Sequence, residues 1–181
     1  MRRGYARQRL GSVAVTRPAP SAVPTVEPAT PADHDRIREL TVGVYRDEGY
    51  ATPRYLVELA DVEGRAGRAQ LLVARLGERV VGSVALVLDG DFGEVTADPS
   101  EAAFRMLVVD PAARGAGIGE LLVTTCLDRA RAAGKATMVL STDPRMTAAH
   151  RLYERMGFRR LPERDWSPMP GVELRVYARA V

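Results

Sequence analysis

The sequence predicts a mixed β-sheet covered by helices, class α+β. Two β-rich runs flank Gly77-Glu78, and further along the chain strand-like runs alternate with helical ones. The third observation is size. With 181 residues, 46% of them hydrophobic, the chain buries roughly two thirds of the surface its unfolded form exposes, which excludes global disorder and a fibrous fold.

The elements follow in order. A short strand is expected at Val23–Pro28. Thr30 then stands as N-cap, with Pro31 at the first helical position and Asp33 in the first turn, of a helix running to about Arg46. Ile37, Leu40 and Val44 recur at spacings of three and four, a one-faced apolar pattern, and Gly49 stops the helix. A second helix is expected from Pro53 to about Val62, with Tyr55, Leu56 and Leu59 inward. From Gln70 the period changes: LLVAR and RVVGSVALVL read as antiparallel neighbours joined at Gly77-Glu78. Asp89–Ser100 is acidic and loop-like. Ala102–Val109 is a strand that stops at Asp110-Pro111, and Ile118–Ala133 a helix ended by Gly134. Thr137–Leu140 is a short buried strand and Thr147–Met156 a helix ended by Gly157. Phe158–Leu161 and Val172–Ala180 complete the sheet.

Charge and cysteine narrow the function classes. Residues 1–22 hold five arginines and no acid, so residues 23–181 carry 21 basic and 23 acidic groups, a net of −2. The basic excess belongs to the start of the chain, not to a phosphate-binding face. Those 22 residues, rich in Pro, Ala and Arg, are expected to be a disordered basic tail before a single domain over 23–181. A mitochondrial-type transit peptide is the minor alternative. A nucleic-acid binder using that segment would bind in a salt-sensitive way, lost on its deletion. Cys126 stands alone, so no intrachain disulfide is available; with His34 and His150 it supplies no standard structural zinc cage, and no metal site is expected. No run approaches 18 apolar residues, and a reducing, cytoplasmic setting is the default.

The chemistry concentrates in Val109-Asp110-Pro111-Ala112-Ala113-Arg114-Gly115-Ala116-Gly117-Ile118-Gly119, which follows a strand and opens a helix. Glycines let backbone N–H groups converge on an anion. The helix N-terminus and the Arg114 guanidinium favour negative charge, a construction suited to a diphosphate. A Walker A loop needs Gly-Lys-Ser/Thr where Ile118-Gly119-Glu120 stands. The dinucleotide fingerprint needs a glycine where Glu120 sits.

This segment resembles the signature of the GCN5-related N-acetyltransferase (GNAT) superfamily: Arg114, Gly117 and Gly119 follow the strand-ending Val109-Asp110-Pro111. Leu152-Tyr153-Glu154-Arg155-Met156-Gly157-Phe158 resembles the family's L-Y-x-x-x-G-F segment. The likeness spans about residues 23 to 181, strongest over 101–158. It implies a mostly antiparallel, splayed central sheet of about six or seven strands with about four helices, acetyl-CoA as cosubstrate and a primary amine, small molecule or peptide N-terminus, as acceptor. Leu107, Val108 and Val109 would offer backbone groups to the pantetheine arm and the thioester oxygen. Arg114, Gly115, Ala116, Gly117, Ile118 and Gly119 would hold the pyrophosphate. Tyr153 would be the general acid for the departing thiolate. Many relatives are dimers; neither nucleic acid nor membrane is an expected partner.

The same residues have plainer readings. Tyr153 shares its helix with Ala149, Leu152 and Met156 at packing spacings, His150 is expected on the solvent side, and Cys126 reads as a small buried hydrophobe. The sequence also departs from the family. Ala103 and Ser141 stand where relatives carry an acid; Glu101 is near, in an unresolved direction, so the base is unassigned. Met146 replaces a common asparagine, for which Thr142 or Thr147 could substitute. The acceptor is expected against the first two helices and the loop Arg164–Gly171. Trp166 and the prolines there would form an apolar wall, with Arg164 and Asp165 for polar recognition. The end of this loop has some likeness to ribosomal-protein N-terminal acetyltransferases, from which Trp166 and Ser167 depart. A non-catalytic acyl-CoA-binding or regulatory module is the alternative that these departures motivate.

Overall fold

The computed structural model describes residues 23–90, 96–169 and 171–181. The expected tail over 1–22, residues 91–95 of the acidic loop and Pro170 lie outside the described residues.

Strand β1 (Thr25–Pro28) leads through a 3-10 turn into α1 (His34–Asp47), α2 (Pro53–Ala60) and α3 (Val62–Ala66). Then come β2 (Gln70–Leu76), β3 (Arg79–Val87), β4 (Glu101–Val109), α4 (Ile118–Ala132), β5 (Thr137–Thr142), α5 (Thr147–Arg155), β6 (Arg159–Arg160), β7 (Trp166–Met169) and β8 (Val172–Ala180). The sheet runs β1-β2-β3-β4-β5-β8-β6, with β7 also on β8. Every pairing is antiparallel except β4 with β5. A mixed, mostly antiparallel sheet covered by helices is therefore what forms, with eight strands and five helices among the described residues.

Local chemistry explains the boundaries. Thr30 and Asp33 cap each other reciprocally ahead of α1. Gly77 takes φ 60° in the β2–β3 turn, a conformation that costs glycine little. The helix expected over Pro53–Val62 breaks at Asp61, whose carboxylate accepts the Gly64 N–H at 2.9 Å and starts α3, so Val62 opens a new helix. The loop expected over Arg164–Gly171 contains a strand instead: Trp166 pairs with Leu174 and Met169 with Val172, and Pro168 is tolerated because β7 has no second neighbour.

Each face of the sheet has its own core. On one, Phe104, Leu122, Cys126, Met138 and Tyr153 pack beneath α4 and α5. On the other, Ile37, Leu40, Val62, Val73 and Val108 pack beneath α1 and α3. Helix α4 lies unusually close to β3: a Cβ on Gly82 would meet the Val108 carbonyl oxygen and Ile118 Cγ2 at 3.0 Å. No described helix is long and apolar enough to cross a membrane.

Candidate active site

The middle of the sheet opens at β4. Glu101–Ala103 pair with Thr137–Val139 of β5, but beyond Ala103 the two strands part; Leu140–Thr142 stay with β8, while Arg105, Val108 and Val109 stay with β3. A bulge lies beside the opening. Val84 of β3 stands opposite two residues, Met106 and Leu107, and Met106 adopts φ 52°, a left-handed conformation costly for a side chain with a Cβ. The extra residue breaks the alternation of the strand. Phe104 and Leu107 face the α4/α5 core, whereas Arg105 and Met106 both face the other side. Beneath Met106 lies Arg65, 2% exposed, donating to the Leu59 carbonyl at 3.0 Å and to the Met106 sulfur.

Leu107, Val108 and Val109 thus lie on the strand that borders the opening, just before the glycine turn. Asp110 ends that strand. Its carboxylate accepts from Ala112 N–H at 2.9 Å and binds Arg79 at 2.6 Å and Arg36 at 2.8 Å, so it ties α1 and β3 to the turn. These bonds, the Arg79 one foremost, hold its pKa below the usual carboxylate value. The sequence marked Asp110 only as a strand stop; two arginines far off in sequence make it a keystone. Gly115 and Gly117 take φ 82° and 75°, with nothing within 4 Å of the Cβ either would carry. The N–H groups of Ile118, Gly119 and Glu120 have no carbonyl inside α4 to bond, and they form its electropositive end. Gly119 also has a packing reason, since its Cβ would meet Leu152 Cδ2 at 3.2 Å. Arg114 is ion-paired with Glu48 at the end of α1.

Tyr153 is 5% exposed, and its ring packs against Phe104, Phe158 and Tyr177 at centroid distances of 5.7, 5.9 and 6.2 Å. Burial raises its pKa above that of a free phenol, with Cys126 adding to the rise. It in turn adds to the rise of Tyr45, which belongs to the cluster on the opposite face and whose pKa is raised chiefly by its own burial. Cys126 is fully buried and its thiol is pushed up to about 12, as suits a core residue.

On the α1/α2 side of the opening is a cavity of about 140 Å³. Tyr45, Tyr55, Met106, Met146, Trp166 and Leu174 form apolar walls, with Glu58, Arg105, Ser141 and Asp143 among the polar lining. Trp166, Pro168 and Met169 thus do form a wall. Arg164 and Asp165 do not face the cavity: Arg164 binds Glu101 at 2.7 Å, and Asp165 takes two bonds of 2.6 Å from Arg160. That pair also settles Glu101, which lies at the start of β4 with its pKa lowered, chiefly by Arg164. Ala103 is core. His150 departs from its expected solvent side. It is 7% exposed, its Nε2 lies 3.1 Å from the Asp143 carbonyl oxygen, and burial lowers its pKa. Met146 lines the cavity, and its sulfur accepts from the Thr142 hydroxyl at 3.6 Å.

The family model described as "Acetyltransferase (GNAT) family" matches residues 34–158. The chain belongs to the GNAT family. It is 36% identical over 91 residues to an IAA acetyltransferase of Azospirillum brasilense, covering 49% of this chain and 54% of that protein. Over 118 residues it is 31% identical to an N-acetylaspartate synthetase of Danio rerio, covering 64% and 39%. The chain spans about half or less of these relatives' lengths. Among solved structures, a GNAT acetyltransferase of Staphylococcus aureus superposes with TM-score 0.69 at 18% identity, covering 87% of this chain and 98% of that one. A GCN5-related N-acetyltransferase of Kribbella flavida gives 0.66 at 25%, covering 88% and 98%. An acetyltransferase of Salmonella typhimurium, solved with its cofactor acetyl-CoA, gives 0.63 at 23%, covering 87% and 93%.

Proposed function

We propose that this GNAT chain is an acetyl-CoA-dependent N-acetyltransferase that passes the acetyl group directly to a primary amine. One observation carries the reading: strand β4 parts from β5, bulges at Met106 beside the cavity and then leads through the glycine turn into the electropositive start of α4. The residues fit the cosubstrate. Left-handed glycines at 115 and 117 leave open space beside a helix N-terminus, which suits a diphosphate, and the free edge of β4 suits an amide-bearing arm.

The bound thioester supplies an activated acetyl group and a thiolate leaving group. Arg114 and the N–H groups over 115–119 hold the diphosphate, Arg114 exchanging Glu48 for it. Leu107, Val108 and Val109 hold the arm, and N–H groups near Leu107 and Val108 steady the negative charge that gathers on the carbonyl oxygen. Tyr153 gives its phenolic proton to sulfur as the C–S bond breaks and the C–N bond forms. The proton shed by nitrogen restores the phenol through solvent, and an acceptor arriving as ammonium releases one proton net. Burial keeps the phenol protonated until then, and the same dry surroundings make the thiolate a stronger base.

The test is thiol release. Acetyl-CoA with a panel of amines is expected to yield free thiol at a rate that Tyr153→Phe strongly reduces, and calorimetry is expected to register coenzyme A binding. Binding without turnover of any amine would favour the non-catalytic acyl-CoA-binding module; no binding would refute both.

A further inference from the structure

We propose that Arg65, a buried cation with no anion of its own, supplies the counter-charge for the negative oxygen that forms on the thioester carbonyl, acting at a distance from behind the β4 bulge. The inference rests on the acetyl-transfer reading and goes beyond it by giving the reaction a charge that touches neither cosubstrate nor acceptor.

The first observation is an unpaired charge in the core. Arg65 is the largest of the fully buried side chains among the described residues, and a guanidinium keeps its proton inside proteins. It donates to the Leu59 carbonyl and the Met106 sulfur, while its Nε is buried with no hydrogen-bond partner. Among the described residues no carboxylate forms an ion pair with it. Asp61 and Glu58 act on it only from farther off, and Asp61 is engaged as the cap of α3. The other well-covered arginines hold acids: Arg36 binds Asp110, Arg75 binds Asp33 and Arg160 binds Asp165. A buried charge without a partner destabilises a core, and an apolar side chain of similar volume usually serves packing as well or better. Packing therefore gives no reason for a cation here.

The second observation is where the charge lies. Arg65 touches the side chain of Met106, the left-handed residue of the bulge, and the next residue is Leu107, near which the N–H groups receive the thioester oxygen in the proposed reaction. The surroundings are apolar: Met106 clusters with Leu59 and Tyr45, so little water screens the field of the guanidinium. A fixed charge in such a place attracts a neutral thioester weakly and the anionic oxygen of the transition state strongly, with no reorganisation at the moment of reaction. The core holds the cation, and the reaction brings its anion.

The experiment needs no acceptor. Calorimetry on the full chain compares S-carboxymethyl coenzyme A, which places a carboxylate where the anionic oxygen would form, with the uncharged S-ethyl coenzyme A. The wild-type chain is expected to prefer the charged analogue. Arg65→Met, which keeps an unbranched side chain but no charge, is expected to lower that preference at least about five-fold while leaving S-ethyl coenzyme A binding little changed. Arg65→Lys is expected to restore most of it, and the melting midpoint of each variant reports whether it folds. Equal or tighter binding of the uncharged analogue by the wild-type chain overturns the proposal, and that measurement needs no variant. A preference that Arg65→Met leaves intact, or that Arg65→Met and Arg65→Lys reduce equally, assigns Arg65 to packing alone; it overturns the proposal and leaves the transferase standing. Failure of both analogues to bind the wild-type chain overturns the coenzyme A reading and this inference with it.

Discussion

Tyr153 packs by its ring and is proposed to react through its oxygen, so the two roles separate in one substitution. Tyr153→Phe keeps the ring among Phe104, Phe158 and Tyr177. It is expected to lower kcat by about 10²- to 10³-fold with KM for acetyl-CoA little changed, as loss of a general acid should; an unaltered kcat in a stopped assay of thiol release would remove Tyr153 from the chemistry. Arg114 gives a second prediction. Its partner Glu48 competes with any diphosphate, and an exposed pair of this kind is worth only about 0.2–1 kcal/mol. Glu48→Gln is expected to tighten coenzyme A binding about two- to five-fold by calorimetry. His150 supplies the pH dependence. Burial lowers its pKa from the ordinary 6.5, so the unfolded chain takes up the proton first, and stability is lost as pH falls from above 6.5 toward the folded value. Urea midpoints measured between pH 7.5 and 5 are expected to fall on the acid side, and His150→Gln to flatten that part of the curve.

Among the elements, the joint between β3, β4 and α4 decides where the proposed anion site lies. Gly82 lets α4 settle on the sheet, and Asp110 clamps the turn between α1 and β3. Gly82→Ala pushes a methyl against a backbone oxygen and two side chains of α4, an overpacking expected to cost about 1–3 kcal/mol in denaturant titrations. Because α4 must move to relieve it, coenzyme A affinity is expected to fall as well; a destabilised variant with unchanged affinity would separate the two. The bulge at Met106 is the other decisive joint. Arg65, buried beneath it and bonded to Leu59 and the Met106 sulfur, braces a backbone that would otherwise relax.

For the whole molecule, two cores on opposite faces of one sheet leave its middle free to open, because β4 and β5 each find a partner on their other side. Residues 1–22 bring five arginines to a remainder with net charge −2. Their removal is expected to leave the melting midpoint and thiol release unchanged, and a drop in either would assign them to the domain. Much of this molecule was legible in order: the hairpin at Gly77-Glu78, the helix opened by Thr30-Pro31, the glycine turn before Ile118 and the helix carrying Tyr153 all declare themselves through spacing and caps that act over a few residues. What stayed hidden depends on partners distant in sequence. Asp61 divides a helix, Trp166 joins a strand, Arg164 and Asp165 turn inward to Glu101 and Arg160, and His150 is covered. Local periodicity determined which segments are helix or strand and where the glycines must stand. Only the tertiary structure decided that Arg105 and Met106 share a face, because a bulge is a mismatch between two strands and belongs to neither sequence alone.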